Sequence, residues 1–260
     1  MRIVLFSAIL LFLFLQGCAT NNSDLEYLEI VHEIKTCDPY CSVEYILLSN
    51  GMMLKKQSNT EDIIHHEIEF VKIDESVAKE VIESAKQNVF ESLNERCYNC
   101  DEYTLFFNDK EKSFMYSVNA KNAPLFLKNI KDNLAQLFSS GVATDQFFIQ
   151  FVYKRIGYNS LDYHIFPDGS VLKEEFAGVD YTLASSEIFL ITPEKLNELN
   201  NSISEDFFDS QSNLEKCYTK GLEHGYVEIL KNDSSKFIWT CGVMESEADL
   251  LFNKLLAEFG

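Results

Sequence analysis

Short runs in which hydrophobic and polar residues alternate make up most of the chain. Each half opens on a run rich in β-branched and aromatic residues, at Tyr27 to Lys35 and at Gln146 to Ile156. Such runs predict β-strands, because successive strand side chains point to opposite faces of a sheet. A hairpin follows in each half, with its turn at Asn50-Gly51 or at Asp168-Gly169. Both dipeptides accept the positive φ of a type I′ turn, which is therefore expected.

Each hairpin leads into another strand and then into a helix. The predicted strands are Glu67 to Ile73 and Ile188 to Thr192. In the first half Asp74 is the predicted N-cap of the helix. The apolar face expected for that helix consists of Val77, Val81, Ile82 and Ala85. In the second half Pro193 lies at the first helical position, where its missing N–H leaves no hydrogen bond unmade.

A second hairpin and an amphipathic helix close each half. The predicted hairpin strands are Glu102 to Phe107, Ser113 to Val118, Tyr226 to Leu230 and Lys236 to Cys241. The apolar stripes of the closing helices are Phe126, Leu127, Ile130, Leu134, Leu137 and Phe138, and then Ala248, Leu251, Phe252, Leu255 and Phe259. An antiparallel sheet with two helices on one face buries these stripes economically. The expected fold class is α+β.

The two halves match in sequence, which predicts an internal duplication. Tyr45 to Lys55 aligns with Tyr163 to Lys173 at a constant offset of 118 residues. Over the later matches the offset increases to 124 residues. These matches are Phe70 with Phe189, Phe90-Glu91-Ser92 with Phe208-Asp209-Ser210, Cys97-Tyr98 with Cys217-Tyr218, and Asn108-Asp109 with Asn232-Asp233. A nearly constant register of this length predicts two tandem α+β repeats, 27–139 and 145–260, divided near Ser139-Ser140-Gly141.

The first seventeen residues, 1–17, are a predicted lipoprotein signal peptide, followed by a lipidated tether at 18–26. Arg2 precedes a mostly apolar run, Ile3 to Leu15, which is too short to span a bilayer. Leu15-Gln16-Gly17-Cys18 resembles the bacterial lipobox, which implies that Cys18 carries acyl chains such as palmitate and becomes the mature N-terminus. We expect a cell-envelope protein held on its membrane through this lipid. Ala19 favours the outer membrane, facing the periplasm, if the organism is Gram-negative.

The remainder of the chain is strongly acidic. Without the signal peptide, whose one charged residue is Arg2, it carries 21 basic and 41 acidic residues, a formal charge of −20. Nucleic acid is excluded as a partner, because phosphate backbones are bound through clusters of Lys and Arg. Anionic lipid would be repelled as well, so membrane attachment should rest on the acyl chains alone. An envelope protein is the partner class that remains.

Six cysteines follow Cys18, and an even number in an exported chain predicts disulfides. They are Cys37, Cys41, Cys97, Cys100, Cys217 and Cys241. The last two flank the second hairpin of the second half, so we expect them to pair. In the first half two local bridges and two cross-bridges both remain open. A tetrahedral zinc site on the four first-half cysteines is the alternative.

The order of a cysteine loop, a strand ending in an Asn-Gly or Asp-Gly turn, a helix, a Tyr-rich hairpin and a final helix resembles an uncharacterised family of bacterial envelope domains. Cys37-Asp38-Pro39-Tyr40-Cys41 and Asn50-Gly51 carry the likeness in the first half. The second half keeps Asp168-Gly169-Ser170-Val171 and the Tyr226 hairpin, but has Gly157-Tyr158-Asn159 in place of the cysteine loop. That family is a domain of unknown function, so the resemblance implies a fold and supplies no catalytic residues.

The remaining motifs do not indicate an enzyme. There is no nucleophile elbow, P-loop or Rossmann glycine pattern. His65 and His66 are adjacent in a predicted strand and point to opposite faces, His164 replaces Ile46 of the first half, and His224 lies in a predicted turn, Gly221 to Gly225. Cys97-Tyr98-Asn99-Cys100 precedes a strand, whereas a redox CxxC motif needs a helix N-terminus.

The sequence therefore predicts a non-enzymatic binding or interaction module with no catalytic residues, cofactor or metal. The first alternative is a metal-assisted or thiol enzyme that uses the Cys37/Cys41/Cys97/Cys100 cluster. The second is an inhibitor of a secreted enzyme, in which tandem disulfide-bonded repeats would clamp an active site.

The lipid anchor can be tested by changing Cys18→Ser. We expect the variant to remain unlipidated and unprocessed, because the lipid is added to the thiol before the signal peptide is cleaved. Metabolic labelling with a radioactive fatty acid measures this directly. Equal labelling of the variant and the wild type would contradict the assignment.

Overall fold

Antiparallel strands dominate the computed structural model of the chain. The structure describes residues 25–34, 42–58, 66–88, 93–94, 100–109, 112–144, 147–154, 160–178, 182–203, 224–231, 234–240, 250–251, 254–255 and 257. Within these residues it contains two β-sheets and three helices of defined length. The α+β class expected from the sequence is confirmed.

The first sheet is formed by the first half of the chain. Its strands are β1 (Tyr27–Glu33), β2 (Ser42–Leu48), β3 (Met52–Ser58), β4 (His66–Lys72), β5 (Leu93–Asn94), β6 (Glu102–Asp109), β7 (Lys112–Asn119) and β8 (Val142–Ala143). Their order across the sheet is β5-β7-β6-β1-β2-β3-β4-β8. All neighbouring strands are antiparallel except β5 and β7, which are parallel.

The second sheet is formed by the second half. Its strands are β9 (Phe147–Lys154), β10 (Ser160–Ile165), β11 (Ser170–Ala177), β12 (Thr182–Leu190), β13 (His224–Lys231) and β14 (Ser234–Thr240). Their order is β12-β11-β10-β9-β13-β14, and every pair is antiparallel.

Three helices follow strands, and their N-termini agree with the sequence patterns. They are α1 (Glu75–Lys86), α2 (Leu125–Ser140) and α3 (Pro193–Ser202). Asp74 caps α1 by accepting hydrogen bonds from the N–H groups of Ser76 and Val77. Thr192 caps α3 in the same way, and Pro193 occupies its first position. These caps satisfy N–H groups that have no partner inside the helix.

The apolar face expected for α1 was partly wrong. Val77 is 36% exposed, whereas the buried residues of the helix are Ala78, Ile82 and Ala85. These three are spaced four and three residues apart and therefore share one side of the helix. Val77 lies about 100° around the axis from Ala78, so it turns toward solvent.

Three apolar clusters account for the buried core. The first joins α1 and α2 residues with outer-face residues of the first sheet, among them Ala78, Ile82, Leu127, Leu134, Leu28 and Leu47. The second joins Leu199 of α3, Leu251 and Leu255 with residues of the second sheet. The third contains residues of both sheets, among them Ile46, Leu54, Phe70, Phe148, Phe166 and Leu172. The two sheets therefore contact each other through a shared apolar layer.

The hairpin turns differ from the expected type I′ geometry. Gly51 N donates to Leu48 O at 2.8 Å, and Gly169 N donates to Phe166 O at 3.0 Å. Each loop thus contains three residues and ends in a glycine, with φ of 88° and 84° respectively. This is the three-residue hairpin with glycine in the left-handed region. The two-residue turn was inferred from Asn50-Gly51 and Asp168-Gly169 alone, although Ser49 and Pro167 also belong to the loops.

The strand ladders correct other predicted details. Leu54 pairs with Phe70 and Leu172 pairs with Ile188, so the ladder register aligns Phe70 with Ile188 and not with Phe189. Strand β12 begins at Thr182, six residues earlier than predicted. Its first residues are mostly exposed and small or polar, which hid them from a search for hydrophobic runs. His224 begins β13 and pairs with Lys154, where a turn was expected.

The loop before β3 provides a stability test. In Gly51→Ala the added Cβ would lie 2.4 Å from Ile73 O at a φ of +88°. We expect this clash with rigid backbone and the left-handed φ to lower the free energy of unfolding by at least about 2 kcal/mol. Gly178→Ala is the matched control, because Gly178 has a φ of +70° and no atom within 4 Å of the added Cβ. Its cost should be about 1 kcal/mol. Equal shifts in urea unfolding would contradict the role of the close contact.

Candidate functional site

Charged and polar side chains are buried or half-buried between the two sheets, beside the shared apolar layer. We call this group the inter-sheet ionic cluster, and it consists of Glu29, Glu44, Lys56, Gln150, Asp162, His164, Glu174 and Glu228. Most of its members lie two positions along a strand from an apolar residue of that layer, as Glu29 does from Tyr27 and Lys56 from Leu54. Strand side chains two positions apart share a face. The alternation that buries the apolar layer therefore also buries these charges.

Lys56 connects the two sheets directly. Its Nζ donates to Glu228 Oε2 at 2.6 Å and to Gln150 Oε1 at 2.5 Å. The Lys56 and Glu228 side chains are only 8% and 2% exposed. Lys56 belongs to β3 of the first sheet, whereas both of its partners belong to the second. Burial lowers the pKa of Lys56, but the carboxylates of Glu228, Glu44 and Asp162 together outweigh burial and the pKa is raised, so the ammonium stays charged.

Gln150 extends the contact into a chain of polar groups. Its Nε2 donates to the carboxylate of Asp162, at 3.0 Å to Oδ2 and 3.2 Å to Oδ1. His164 Nε2 lies 3.4 Å from Asp162 Oδ1 and 3.9 Å from Glu174 Oε2. Burial lowers the pKa of His164, but the charge and hydrogen bond of Asp162 together with the charges of Glu44 and Glu174 outweigh burial, and the pKa is raised. The imidazole is thus the second basic group of the cluster.

Glu174 is the second point at which the sheets meet through polar atoms. Tyr27 of β1 donates its hydroxyl hydrogen to Glu174 Oε1 at 2.7 Å, and Glu174 is 2% exposed. Burial raises the pKa of Glu174, His164 opposes the rise and Asp162 adds to it, and the resulting pKa is about 7. Burial and the nearby Glu174 likewise raise the pKa of the Tyr27 phenol well above its usual value. Glu174 therefore titrates in the neutral range, unlike an exposed glutamate.

Some polar atoms of the cluster have no hydrogen-bond partner among the residues that the structure describes. They are Glu29 Oε2, Glu44 Oε1 and His164 Nδ1. Glu29 is 6% exposed and His164 is 3% exposed. Burial and the charges of Glu174 and Glu44 raise the pKa of Glu29 well above its usual value. A buried carboxylate without a donor is costly, and protonation removes that cost.

Acidic groups outnumber basic groups in the cluster. It contains five carboxyl groups and two basic groups, Lys56 and His164. Among the residues that the structure describes, no group of three or more His, Cys, Asp or Glu could hold a metal ion. The arrangement can therefore form ion pairs and take up protons. The side chains that do so contact one another between the sheets.

Most of the sites predicted from sequence fall outside the described residues. These are Cys18, Cys37, Cys41, Cys97, Cys217, Cys241 and His65. Cys100 is described, lies just before β6 and is disulfide-bonded. Neither connectivity of the first half is distinguished. No helix in the described part of the chain is long and apolar enough to cross a membrane.

Sequence reasoning missed the cluster except for His164, which was noted only as a replacement of Ile46. The sequence nevertheless contained one indication of buried charge. Glu44 lies in β2 of the first hairpin and Glu174 in β11 of the corresponding hairpin of the second half, and both strands carry apolar residues on both faces. A strand buried on both faces offers a charge no solvent, so an isolated charge there indicates a buried partner. The identity of the partner could not be read from either strand.

The chain matches no protein-family model, and no curated protein or solved structure is detectably similar to it. The functional assignment therefore depends on the geometry of the chain itself.

The ion pair between the sheets can be tested with two adjacent lysines. Lys56→Met leaves the buried Glu228 carboxylate without its cation, and we expect it to lower the free energy of unfolding by about 3–5 kcal/mol. Lys55→Met is the matched control. It breaks a pair with Glu69 at 3.0 Å whose side chains are 21% and 55% exposed, and it should cost less than about 1 kcal/mol.

A double-mutant cycle separates the charge effect from lost packing. In Lys56→Met/Glu228→Gln the stranded charge is absent, so the loss should be smaller than in Lys56→Met alone. Urea denaturation at pH 7 measures five proteins: the wild type, Lys56→Met, Glu228→Gln, the double variant and the Lys55→Met control. Similar losses for Lys56→Met and Lys55→Met would contradict a buried stabilising pair.

Proposed function

We propose that the chain is a lipid-anchored protein of the cell envelope that acts as a non-enzymatic binding or interaction module. In this proposal it consists of two tandem copies of one α+β repeat, 27–139 and 145–260, each an antiparallel sheet with two helices on one face. The lipid on Cys18 holds the module on its membrane, and the folded repeats present a surface to an envelope protein.

Matched local contacts in the two halves support the repeat. Lys55 pairs with Glu69 in the first half, and Lys173 pairs with Glu187 in the second. Each residue of the second pair lies 118 positions after its counterpart. Two backbone hydrogen bonds recur at the same offset: Ile73 N donates to Gly51 O and Ile191 N donates to Gly169 O, each at 2.9 Å. Contacts that recur at one offset are expected if both halves share one ancestral fold.

A contact between equivalent turns supports a two-fold relation of the repeats. Asn50 Nδ2 donates to Asp168 Oδ2 at 2.9 Å and to Ser170 Oγ at 3.0 Å. Asn50 and Asp168 are themselves 118 residues apart and occupy the same place in their loops. In a two-fold arrangement, residues near the axis meet their own equivalents. The repeats would then face each other as two subunits of a symmetric dimer do.

One observation supports the binding-module proposal. The acid and base groups of the inter-sheet ionic cluster form bonds within the protein, at the contact between the sheets. Lys56, Glu174 and Glu228 bond across or along the sheet contact and are each less than 10% exposed. Charged groups buried between the sheets stabilise the fold and do not contact a substrate. A rigid frame with an outer surface of strongly negative charge suits recognition of another protein, with charge complementarity favouring a basic partner face.

Site-specific photo-crosslinking in native membranes tests the module. A photoreactive amino acid replaces Leu125 or Val142, whose side chains are 71% and 72% exposed and whose change should not disturb the core. We expect a discrete adduct with an envelope protein from at least one position. The same probes in the Cys18→Ser background are the matched control, and the adduct should weaken because the module no longer resides at its membrane.

Two results would count against the proposal. One is the absence of any discrete adduct at Leu125, Val142 and Leu250, which is 50% exposed near the other end of the chain. The other is stoichiometric zinc in protein purified without added metal, since that would favour an enzyme built on Cys37, Cys41, Cys97 and Cys100.

A further inference from the structure

We propose that the inter-sheet ionic cluster is a proton-responsive lock, which holds the two sheets together while Glu174 is protonated and loosens their contact when Glu174 ionises. The proposal concerns the regulation of the fold and does not depend on the lipid anchor or on the identity of a partner. It rests on where Glu174 lies, on which charges surround it and on how few donors are left for a further negative charge.

Glu174 lies where a change of charge acts directly on the sheet contact. It belongs to β11 of the second sheet, and its hydrogen-bond donor, Tyr27, belongs to β1 of the first. The side chain is 2% exposed, so water does not screen its charge effectively. Next to this bond, Phe106 of the first sheet and Phe176 of the second lie edge to face, with ring centroids 5.9 Å apart. The polar bond and the apolar contact are made by neighbouring positions.

The charged and titratable groups around Glu174 come from both sheets. Those that act on Glu174 are Asp162 and His164 on β10, Tyr27 and Glu29 on β1 and Glu44 on β2, whereas Lys56 on β3 and Tyr226 and Glu228 on β13 belong to the rest of the same layer. Lys56 is already bonded to Glu228 and Gln150. His164 is therefore the basic group closest to Glu174, and its Nε2 lies nearer to Asp162, at 3.4 Å, than to Glu174, at 3.9 Å.

An ionised Glu174 would add a negative charge to a region that cannot neutralise it. Besides Glu174, four carboxyl groups already face two basic groups. Glu29 Oε2 and Glu44 Oε1 have no hydrogen-bond donor, which shows that donors are scarce there. The carboxylates would repel one another from opposite sheets, because Glu29 and Glu44 belong to the first sheet and Asp162 and Glu174 to the second. Uptake of a proton by Glu174 removes this repulsion and leaves the Tyr27 bond in place.

The pKa shifts agree in direction with this geometry. Burial raises the pKa of Glu174 to about 7, whereas the same group in an unfolded chain ionises near 4.5. The folded protein thus binds a proton that the unfolded chain has lost, so stability must fall as pH rises from about 4.5 through about 7. His164 acts in the same sense, because its raised pKa contributes stability at acid pH that is lost as pH rises through that pKa.

The experiment measures the unfolding equilibrium at pH 6.0 and pH 8.5 by urea titration of the intact protein isolated in nonionic detergent. Glu174 alone should raise the unfolding constant of the wild type about tenfold between the two pH values, from a folded pKa of about 7. Glu174→Gln cannot ionise, so its unfolding constant should not show this tenfold rise. Its stability relative to that of the wild type should therefore be higher at pH 8.5 than at pH 6.0. The acidic surface contributes to pH dependence in every variant and cancels in the comparison.

Glu187→Gln is the matched control. It removes the same charge from the adjacent strand β12, but Glu187 is 61% exposed and pairs with Lys173 at 3.6 Å. Its pH dependence should equal that of the wild type. If Glu174→Gln also keeps the full wild-type dependence, the proposal is overturned.

A measurement on the unchanged protein decides the matter if Glu174→Gln fails to fold. Carbon-detected NMR follows the carboxyl carbons of labelled glutamate through a pH titration. One buried glutamate that titrates near pH 7 supports the lock, with faster amide exchange in β1 and β11 above that pH after correction for the intrinsic rate. Titration of every glutamate below about pH 5.5 overturns it.

Discussion

The contact between the two sheets depends on charges that have been taken out of water, and the pair of Lys56 and Glu228 makes that possible. Two such ions lose several kcal/mol of hydration each, and only a short, well-surrounded pair recovers the loss. Here the pair is 2.6 Å long and Gln150 accepts a further hydrogen bond from the same ammonium. The apolar residues of both sheets can then close around it, as Phe70 does against Phe148 at 5.3 Å between ring centroids.

The layer between the sheets contains two different polar regions, one around Lys56 and one around Glu174, which explains why it is not wholly apolar. Around Lys56 the charges are balanced and the bonds are short. Around Glu174 they are unbalanced, and the tyrosine bond from the first sheet is the main polar link. Buried polar groups give a sheet contact a defined register, whereas apolar faces alone could slide past each other. An unbalanced part of the contact also makes its strength dependent on the proton concentration.

The proposed repeat gives a reason for this imbalance. Lys56 pairs in its ladder with Glu44, and Glu174 pairs in its ladder with Asp162, so Lys56 and Glu174 occupy the same place in the two halves. A lysine at this place in one half and a glutamate in the other give the two sheets different sets of buried partners.

The amino-acid sequence alone determined the local elements of this protein, because strands, caps and helices depend on side chains a few positions apart. The alternation at Tyr27, the N-cap at Asp74 and the proline at the start of α3 all predict what the structure contains. Loop geometry was harder, since the turns ending at Gly51 and Gly169 depend on a third residue and on the backbone they meet. The stacking of the sheets was decided only by the tertiary structure. Lys56 contacts partners 94 and 172 residues away, and no local pattern encodes a contact between two surfaces that belong to separate parts of the chain.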